Sequence, residues 1–443
     1  MPADGRPIAW SLVEISRRLA HGDTTSLTLT ETALRSDHDA FLDCDPTRAL
    51  YEAELSDRRR AEGHALLGPL DGVPVAIKGN IAVEGLPLTA GIAAYAERIA
   101  PDDAHVVRAL RNSGAIIIGT VNLAEGAVGA VTDNPHYGTV RNPVDASRAA
   151  GGSSGGSAAV VAAGVVPLAL GTDTMGSVRI PAAYCGVVGL KPTGGAVSTR
   201  GVVPLSTLLD TVGPIVAGVE DLGLLWHLLE EPDPTWPWWR SAPSDRARPP
   251  LGAIRVGVPD LVDRTELAPS VRAALDTAVD ALVAVRVPMP IDAVLTRRCG
   301  LLVCEAGGAD EHRDALSEKP EGFSPLLRSL FAYGARASAA KLSAAIDELV
   351  KARWVVRATF DHADVLLLPT ASNVAPLVGD DPLDAADLTA FVNVAGLPAL
   401  SMPAGTDEHG LPIGLQLVGR PFSEPLLIAV AVQLHARAYK SAG

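Results

Sequence analysis

Short apolar runs alternate along most of the chain with longer stretches that carry their apolar residues on one helical face. Residues 73–77 (VPVAI), 115–118 (AIII), 254–258 (IRVGV) and 365–368 (VLLL) are rich in branched side chains and bounded by Gly, Pro or Asp. Such runs predict buried strands. Pro101, Asp102 and Asp103 stand ahead of Val106, Val107 and Leu110, and Val271, Leu275, Ala278 and Leu282 fall at one-face spacing. Both patterns predict helices. The alternation as a whole predicts an α/β fold with a covered sheet. It is interrupted from Glu230 to Leu251, a proline-rich stretch holding Trp236, Trp238 and Trp239. Tryptophans suit a solvated linker poorly, so this stretch is expected to be an ordered excursion packed on the core surface. No internal repeat is visible.

Composition narrows the functional classes. The 443 residues include 37 Lys and Arg against 51 Asp and Glu, a formal charge of −14. A chain so acidic repels phosphate backbones and anionic lipid. Its densest basic cluster, Arg58, Arg59 and Arg60, reads as a solvated helix face. Aromatic residues make up only 4%, which leaves little for stacking on single strands. No direct nucleic-acid partner is expected. The longest near-apolar run, residues 158–170, contains Pro167 and falls short of the ~20 residues a membrane span needs. The first residues lack a basic head followed by an unbroken apolar stretch, so they do not read as a signal peptide. Cys44, Cys185, Cys299 and Cys304 form no CxxC pair. Reduced, buried thiols and a cytoplasmic location are expected.

The chemistry concentrates in three places. Residues 150–157 read AGGSSGGS and run directly into the helix-like AAVVAAG. That places backbone amides at a helix N-terminus, where an anion or a developing negative charge is favoured. A phosphate-binding loop would need Gly-Lys-Ser/Thr, and Ala158 follows Ser157 instead. Gly151 to Gly155 do fit the GxSxG of a nucleophile elbow, but an elbow follows a strand, and Arg141–Ala149 is turn-like. An elbow also needs a downstream His. His312, His362 and His409 all stand in polar stretches, where a solvated histidine is the plainer account.

The second place is GTDTMGSVRIPAAYCG at 171–186. Ser177 follows the strand-like VVPLAL and small, flexible residues, so a tight turn can present it beside converging amides. Amides so placed form an oxyanion hole, worth ~3 to 4 kcal/mol per donor. Asp173 and Arg179 can pair across this turn, as a brace for the site or as a simple loop staple. The third is Lys78, at the end of VPVAI. A lysine at a strand end is usually solvated. If it is drawn inside, desolvation lowers its pKa from ~10.4, and a shift of ~3 units costs about 4 kcal/mol.

Together these segments resemble the amidase signature family. The resemblance runs through DGVPVAIKGN (71–80), TVNLAEGAVG (120–129), HYGTVRNP (136–143), AGGSSGGSAA (150–159), GTDTMGSVRIPAAYCG (171–186), GLKPT (189–193) and RGVVPLSTLLDTVGP (200–214). It returns in NVAGLPALSMPAG and LPIGLQLVGRP near the C-terminus and is weakest from about 230 to 360. It implies an α/β amidase signature fold whose large mixed central sheet is covered by helices on both faces. The implied organisation is one domain over 1–443, with an N-terminal helical part at 1–65, a signature core at 66–217, a variable substrate-side region at 218–362 and a C-terminal part of the core at 363–443.

By this resemblance Ser177 is the nucleophile, Ser153 the bridging serine after a cis peptide, and Lys78 the base. The backbone amides of Thr174, Met175, Gly176 and Ser177 receive the oxyanion. Neither a cofactor nor a metal is implied. Two positions depart from the family. Gly79 stands where Asp is frequent, which removes one expected support of Lys78, and Met175 stands where Gly is frequent, which would trim the acyl pocket toward small or flat substrates. The implied function is hydrolysis of a small amide, as in the biuret and carboxybiuret hydrolases. The alternative is the A-type component of a glutamine-dependent tRNA amidotransferase, although 305–357 lacks the basic pattern expected there. Asp387 reads either as a contact for a substrate amino group or as a helix cap. A homodimer and a small partner subunit both remain compatible with the resemblance.

Overall fold

A computed structural model of the chain describes residues 10–36, 40–243 and 251–439. Its centre is one 11-stranded mixed sheet. In chain order the strands are β1 (Phe41–Cys44), β2 (Pro74–Lys78), β3 (Ile116–Val121), a separate hairpin of β4 (Asp133–Asn134) and β5 (Gly138–Thr139), then β6 (Leu168–Asp173), β7 (Val188–Lys191), β8 (Thr211–Val216), β9 (Val256–Pro259), β10 (Val285–Val287), β11 (Val365–Pro369), β12 (Ala399–Thr406) and β13 (Pro412–Gly419). Across the sheet they lie in the order β1-β3-β2-β6-β8-β7-β12-β13-β11-β9-β10. The four apolar runs expected to be strands are β2, β3, β9 and β11, and the two expected helices are His105–Asn112 and Pro269–Leu282.

Side chains alternate between the two faces of a strand, and here they divide into two cores. Val75 and Ile77 of β2, Ile117 of β3 and Leu168 and Leu170 of β6 join one cluster. Ala76, Ile116, Ile118 and Ala169 join the other. The first face is covered by apolar residues of His105–Asn112, Asp221–Leu229, Pro269–Leu282 and Glu424–Leu434. The second is covered by Gly155–Ala162 and Arg179–Cys185. A sheet buried on both sides needs strands that are apolar throughout, which is why β2, β3 and β6 read as unbroken runs rather than alternating ones. The weakly resembling middle of the chain supplies two strands of the same sheet, β9 and β10, with the helix Pro269–Leu282 between them.

The topology fixes where chemistry can gather. β3, β2 and β6 are parallel neighbours, so their C-terminal ends share one edge. β8 runs antiparallel to β6, with Asp173 opposite Thr211, and β7 antiparallel to β8. Lys78, Asp173, the start of β8 and Lys191 therefore lie along that edge, in the crevice beyond the carboxyl ends of the strands where α/β sheets bind ligands.

Several expectations are corrected. Arg59 and Arg60 are not a solvated face: Arg59 Nε reaches Asp71 Oδ2 at 3.1 Å, and Arg60 donates to the Asp71 carbonyl. Asp71 is fully enclosed, so the two arginines anchor their helix to the turn before β2. His312 is buried rather than solvated. Its Nδ1 lies 2.9 Å from Tyr95 Oη, its ring stacks on Phe331, and burial pushes its pKa down to about 4. His362 and His409 are exposed, as expected. None of the four cysteines is in a disulfide, and two of them, Cys185 and Cys304, are buried. The described part of the tryptophan stretch packs on the loop after β7: Trp236 Nε1 donates to Thr199 Oγ1 at 3.1 Å, and the Arg240 amide donates to the Gly195 carbonyl at 2.8 Å. Residues 244–250 of that stretch lie outside the described residues. No described helix is long and apolar enough to cross a membrane.

Candidate active site

Lys78 is the last residue of β2, and its side chain turns into the protein, with no exposed surface. Nζ lies 2.8 Å from Ser153 Oγ and 2.8 Å from Thr172 Oγ1. Thr172 is presented by β6, the parallel neighbour of β2, so pairing of the two strands sets this contact. Asn80 Nδ2 donates to the same Thr172 hydroxyl at 3.2 Å. Removal from water pushes the Lys78 pKa down from 10.5 to about 7, against the opposing charges of Asp173 and Asp210. An ordinary lysine would be neutral in only about one molecule in three thousand at pH 7; the lowered pKa makes the neutral amine far easier to reach here.

Gly79 has no room for the side chain expected there. A Cβ would sit 2.5 Å from Leu42 Cδ1 and 3.2 Å from Leu123 Cδ2. Thr172 supports the amine instead, and Asn80 holds the Thr172 hydroxyl in turn.

Ser153 belongs to the Gly/Ser loop leading into the helix Gly155–Ala162, which packs against β6. The Gly152–Ser153 peptide is cis. The loop is clamped from several sides: Thr132 Oγ1 donates to the Gly151 carbonyl at 2.9 Å, the Ala124 amide donates to the Ser153 carbonyl at 3.2 Å, and Ser154 Oγ donates to the Thr172 carbonyl at 3.1 Å. Gly152 is needed for close approach, since a Cβ there would lie 2.7–2.8 Å from the backbone of Val131.

Ser177 stands on the turn after β6, before the helix Arg179–Cys185, and is half-buried. Its carbonyl accepts the Ser154 amide at 3.2 Å, so the two serine-bearing loops are in direct contact. Its hydroxyl makes no hydrogen bond to another described residue. The turn is held by Asp173, whose carboxylate accepts the amides of Gly176 at 2.7 Å and Val178 at 3.2 Å. Arg179 closes on that carboxylate with Nε at 3.0 Å and Nη2 at 3.1 Å, and Asn393 Nδ2 donates to it at 2.9 Å. Burial alone would raise the Asp173 pKa. The charge and hydrogen bonds of Arg179, with Lys191 and Asn393, outweigh it and hold the group down to about 2. The Asp173–Arg179 pair is thus a brace built into the turn.

The expected anion donors separate into two groups. The Gly176 amide is engaged by Asp173. The amides of Thr174, Met175 and Ser177 have no hydrogen-bond acceptor among the described residues, so these three are available to a developing oxyanion. Thr174 is further steadied by its hydroxyl, which donates to Asp210 Oδ1 at 2.6 Å. Removal from water pushes Asp210 up to about 6, opposed by hydrogen bonds from Thr174, Ser206 and Leu205. Thr389 Oγ1 donates to the Met175 carbonyl at 2.6 Å and fills the space a Cβ on Gly176, at φ +134°, would occupy. The Met175 side chain packs into an apolar cluster with Leu205, Leu209, Cys304 and Phe331, facing Gly300. It ties the Ser177 turn to the middle helices.

Asp387 is neither free nor a helix cap. Arg297 Nε holds its carboxylate at 2.6 Å. Thr172, Asn80, Asp210, Thr389 and Asn393 surround the site without having been singled out in the sequence. Four of the five lie inside quoted motifs, but a contact across neighbouring strands leaves no local signal. Among the described residues no group of three or more His, Cys, Asp or Glu is placed to hold a metal ion.

The amidase family model matches residues 24–428. The chain is 36% identical to the AtzE component of 1-carboxybiuret hydrolase from Pseudomonas sp. (strain ADP), over 94% of this chain and 96% of that one. It is 37% identical to the A-type component of glutamyl-tRNA(Gln) amidotransferase from Chloroflexus aurantiacus, over 93% of each. Among solved structures, a vestigial protein complex bearing on the origins of an s-triazine catabolic enzyme superposes with a TM-score of 0.90 at 35% identity, over 96% of this chain and 98% of that one.

Proposed function

The chain belongs to the amidase family, and on that premise we propose that it hydrolyses a non-peptide C–N amide bond of a small substrate through an acyl-enzyme on Ser177. Hydrolysis of amide C–N bonds is the family's chemistry; the route and the substrate class are the reading advanced here. The observation that carries it is the contact of a wholly buried Lys78 with Ser153 Oγ at 2.8 Å, beside a loop that touches the Ser177 turn.

Neutral Lys78 accepts the Ser153 hydroxyl proton, and Ser153 Oγ takes the proton of Ser177 as its Oγ bonds to the amide carbon. The carbonyl oxygen becomes an oxyanion between the free amides of Thr174, Met175 and Ser177, with the Thr174 end fixed by Asp210. The C–N bond breaks as Ser153 passes its proton to the leaving nitrogen and regains one from Lys78. Ammonia or an amine departs, leaving Ser177 as an ester. Water attacks that ester by the same relay, releasing the acid and restoring all three groups. The Asp173 brace keeps the turn in position without exchanging a proton.

Four cysteines without a disulfide suit the reducing cytoplasm proposed as its compartment. A second reading is supported by the comparable identity to an amidotransferase component: a chain that releases ammonia only alongside a partner. Both curated relatives named above are subunits, so a small partner subunit is compatible with either reading. The discriminating experiment is an ammonia-release screen of the purified chain over aliphatic, aryl, amino-acid and urea-type amides. Turnover of a small amide that disappears in Ser177→Ala supports the stand-alone hydrolase. Turnover surviving in Ser177→Ala overturns the mechanism. Silence across the panel, relieved only by a partner subunit, favours the second reading.

A further inference from the structure

Along the same sheet edge, beyond β8 and β7, lies positive charge that no acid answers. Arg240, Arg353 and Arg357 line a cavity of about 190 Å³ together with Gly194, Gly195 and Gly396. None of the three arginines has a carboxylate within ion-pair distance among the described residues. In a chain of net charge −14, three neighbouring guanidiniums without acids run against the overall balance. They are close enough to repel one another: burial, then the charges of Arg357 and Arg240, push the Arg353 pKa below its ordinary value. The one carboxylate in the lining, Asp210, is already occupied by Thr174 Oγ1 and the amides of Leu205 and Ser206. Lys191 reaches the cavity, but its ammonium is turned to the Pro192 carbonyl.

Helix capping accounts for part of the cluster. Arg353 Nε donates to the Val394 carbonyl at 2.8 Å, and Arg357 Nε and Nη2 donate to the Ala395 carbonyl at 3.2 and 2.9 Å. These carbonyls end the helix Ala390–Ala395, where cations are favoured. Both Nη groups of Arg353, Nη1 of Arg357 and the whole fork of Arg240 remain without an acceptor among the described residues. Arg240 caps nothing. Its backbone is tied to Gly195, and its guanidinium lies 5.5 Å from the Phe422 ring. Gly195, at φ +85°, lets the segment carrying Arg240 pack directly on the cavity floor, since a Cβ there would meet the Trp238 carbonyl at 2.5 Å and Arg240 Cγ at 2.9 Å.

We propose that this glycine-floored, arginine-walled cavity binds a compact oxyanion, a carboxylate or a phosphate, at a site separate from the acyl pocket. Guanidinium forks match the paired oxygens of either group. The cavity lining meets the reactive turn from the side of the brace: Asn393 donates to Asp173, and Asp210 accepts from the Thr174 hydroxyl. The helix whose last carbonyls hold Arg353 and Arg357 also carries Asn393, which donates to both the carbonyl and the carboxylate of Asp173. An anion in the cavity neutralises the arginines and steadies that helix, and through Asn393 it reaches the brace of the Ser177 turn.

The test is isothermal titration of the full-length Ser177→Ala protein with inorganic phosphate and, separately, with malonate, in a buffer free of other multivalent anions. Saturable one-site binding of at least one anion is expected, and the tighter arm identifies phosphate or carboxylate as the preferred form. Arg240→Gln should weaken binding by about tenfold or more with an unchanged melting temperature, because its guanidinium makes no hydrogen bond within the described protein. Arg353→Gln, in the same background, should weaken it by a similar factor. Absence of binding by both anions, or affinity that survives both substitutions, overturns the proposal. The readout is binding to a chain without its nucleophile, so failure of the amidase mechanism does not affect it.

Discussion

Two lysines end strands on the same edge of the sheet, Lys78 on β2 and Lys191 on β7, and neither has exposed surface. Removal from water pushes both down from 10.5 to about 7. Only their partners differ. Lys78 Nζ faces two hydroxyls, Ser153 Oγ and Thr172 Oγ1, each at 2.8 Å. Lys191 Nζ faces the Pro192 carbonyl at 2.7 Å. A hydroxyl can lose a proton and regain it, whereas a carbonyl can only accept a hydrogen bond. The lowered pKa is therefore a property of depth, shared by both, and service as a base is a property of what the amine touches. A perturbed pKa marks candidate sites, but here it marks both lysines alike, and contact chooses between them.

The largest expected effect separates the two lysines outright. Lys78→Ala should lower kcat by about 10³-fold or more, as expected for loss of a general base from a group acting as a unit. Ammonia release from any substrate found in the amide screen measures it. Thr172→Val removes one of the two hydroxyls at the amine and should cost about 10- to 100-fold in kcat with little change in KM. It also removes a partner that favours the ammonium form, so the acid inflection of the pH–rate profile should move to lower pH. An inflection that moves upward would contradict the role given to Thr172.

Met175→Gly empties part of the cluster that ties the Ser177 turn to the middle helices. It should lower stability by about 2–4 kcal/mol and raise the rate on bulky amides relative to small ones several-fold. Unchanged relative rates would mean that Met175 does not shape the acyl pocket. Lys191→Met should have the smallest effect on activity, less than about tenfold, and its signature lies in stability. A lysine whose folded pKa is lowered to about 7 binds fewer protons than the unfolded chain between pH 7 and about 10.5, so wild-type stability rises across that window. The urea midpoint of Lys191→Met should exceed that of wild type at pH 7, and the gap should narrow toward pH 10. A constant gap would show that Lys191 is not a desolvated amine.

The strands that build the reactive edge were readable in the sequence because a sheet buried on both faces demands continuous branched runs, as in 73–77 and 115–118. The tight turn at Ser177 and the Asp173–Arg179 pair were readable because both depend on neighbours a few residues apart. What supports Lys78 was not. Its bond to Thr172 follows from parallel pairing of β2 with β6, two strands separated in the chain by β3, the hairpin and the helices His105–Asn112 and Gly155–Ala162. Asn393 on the Asp173 brace and Asp210 on Thr174 sat in quoted motifs, yet their partners lie 220 and 36 residues away along the chain. His312 deceived because its polar local sequence hides a tertiary pocket of Tyr95, Phe323 and Phe331. The Gly176 amide deceived in the opposite sense: its place on the turn suggested a free donor, while Asp173, three residues earlier, had already claimed it.

The most direct test of the central claim is the pH dependence of kcat/KM for wild type, Lys191→Met and Thr172→Val on one substrate. If the amine that touches the hydroxyls governs the reaction, wild type and Lys191→Met share an inflection near pH 7, rising with pH, and Thr172→Val shifts it downward. An inflection that disappears in Lys191→Met, or one that Thr172→Val leaves in place, would contradict the assignment of Lys78 as the base.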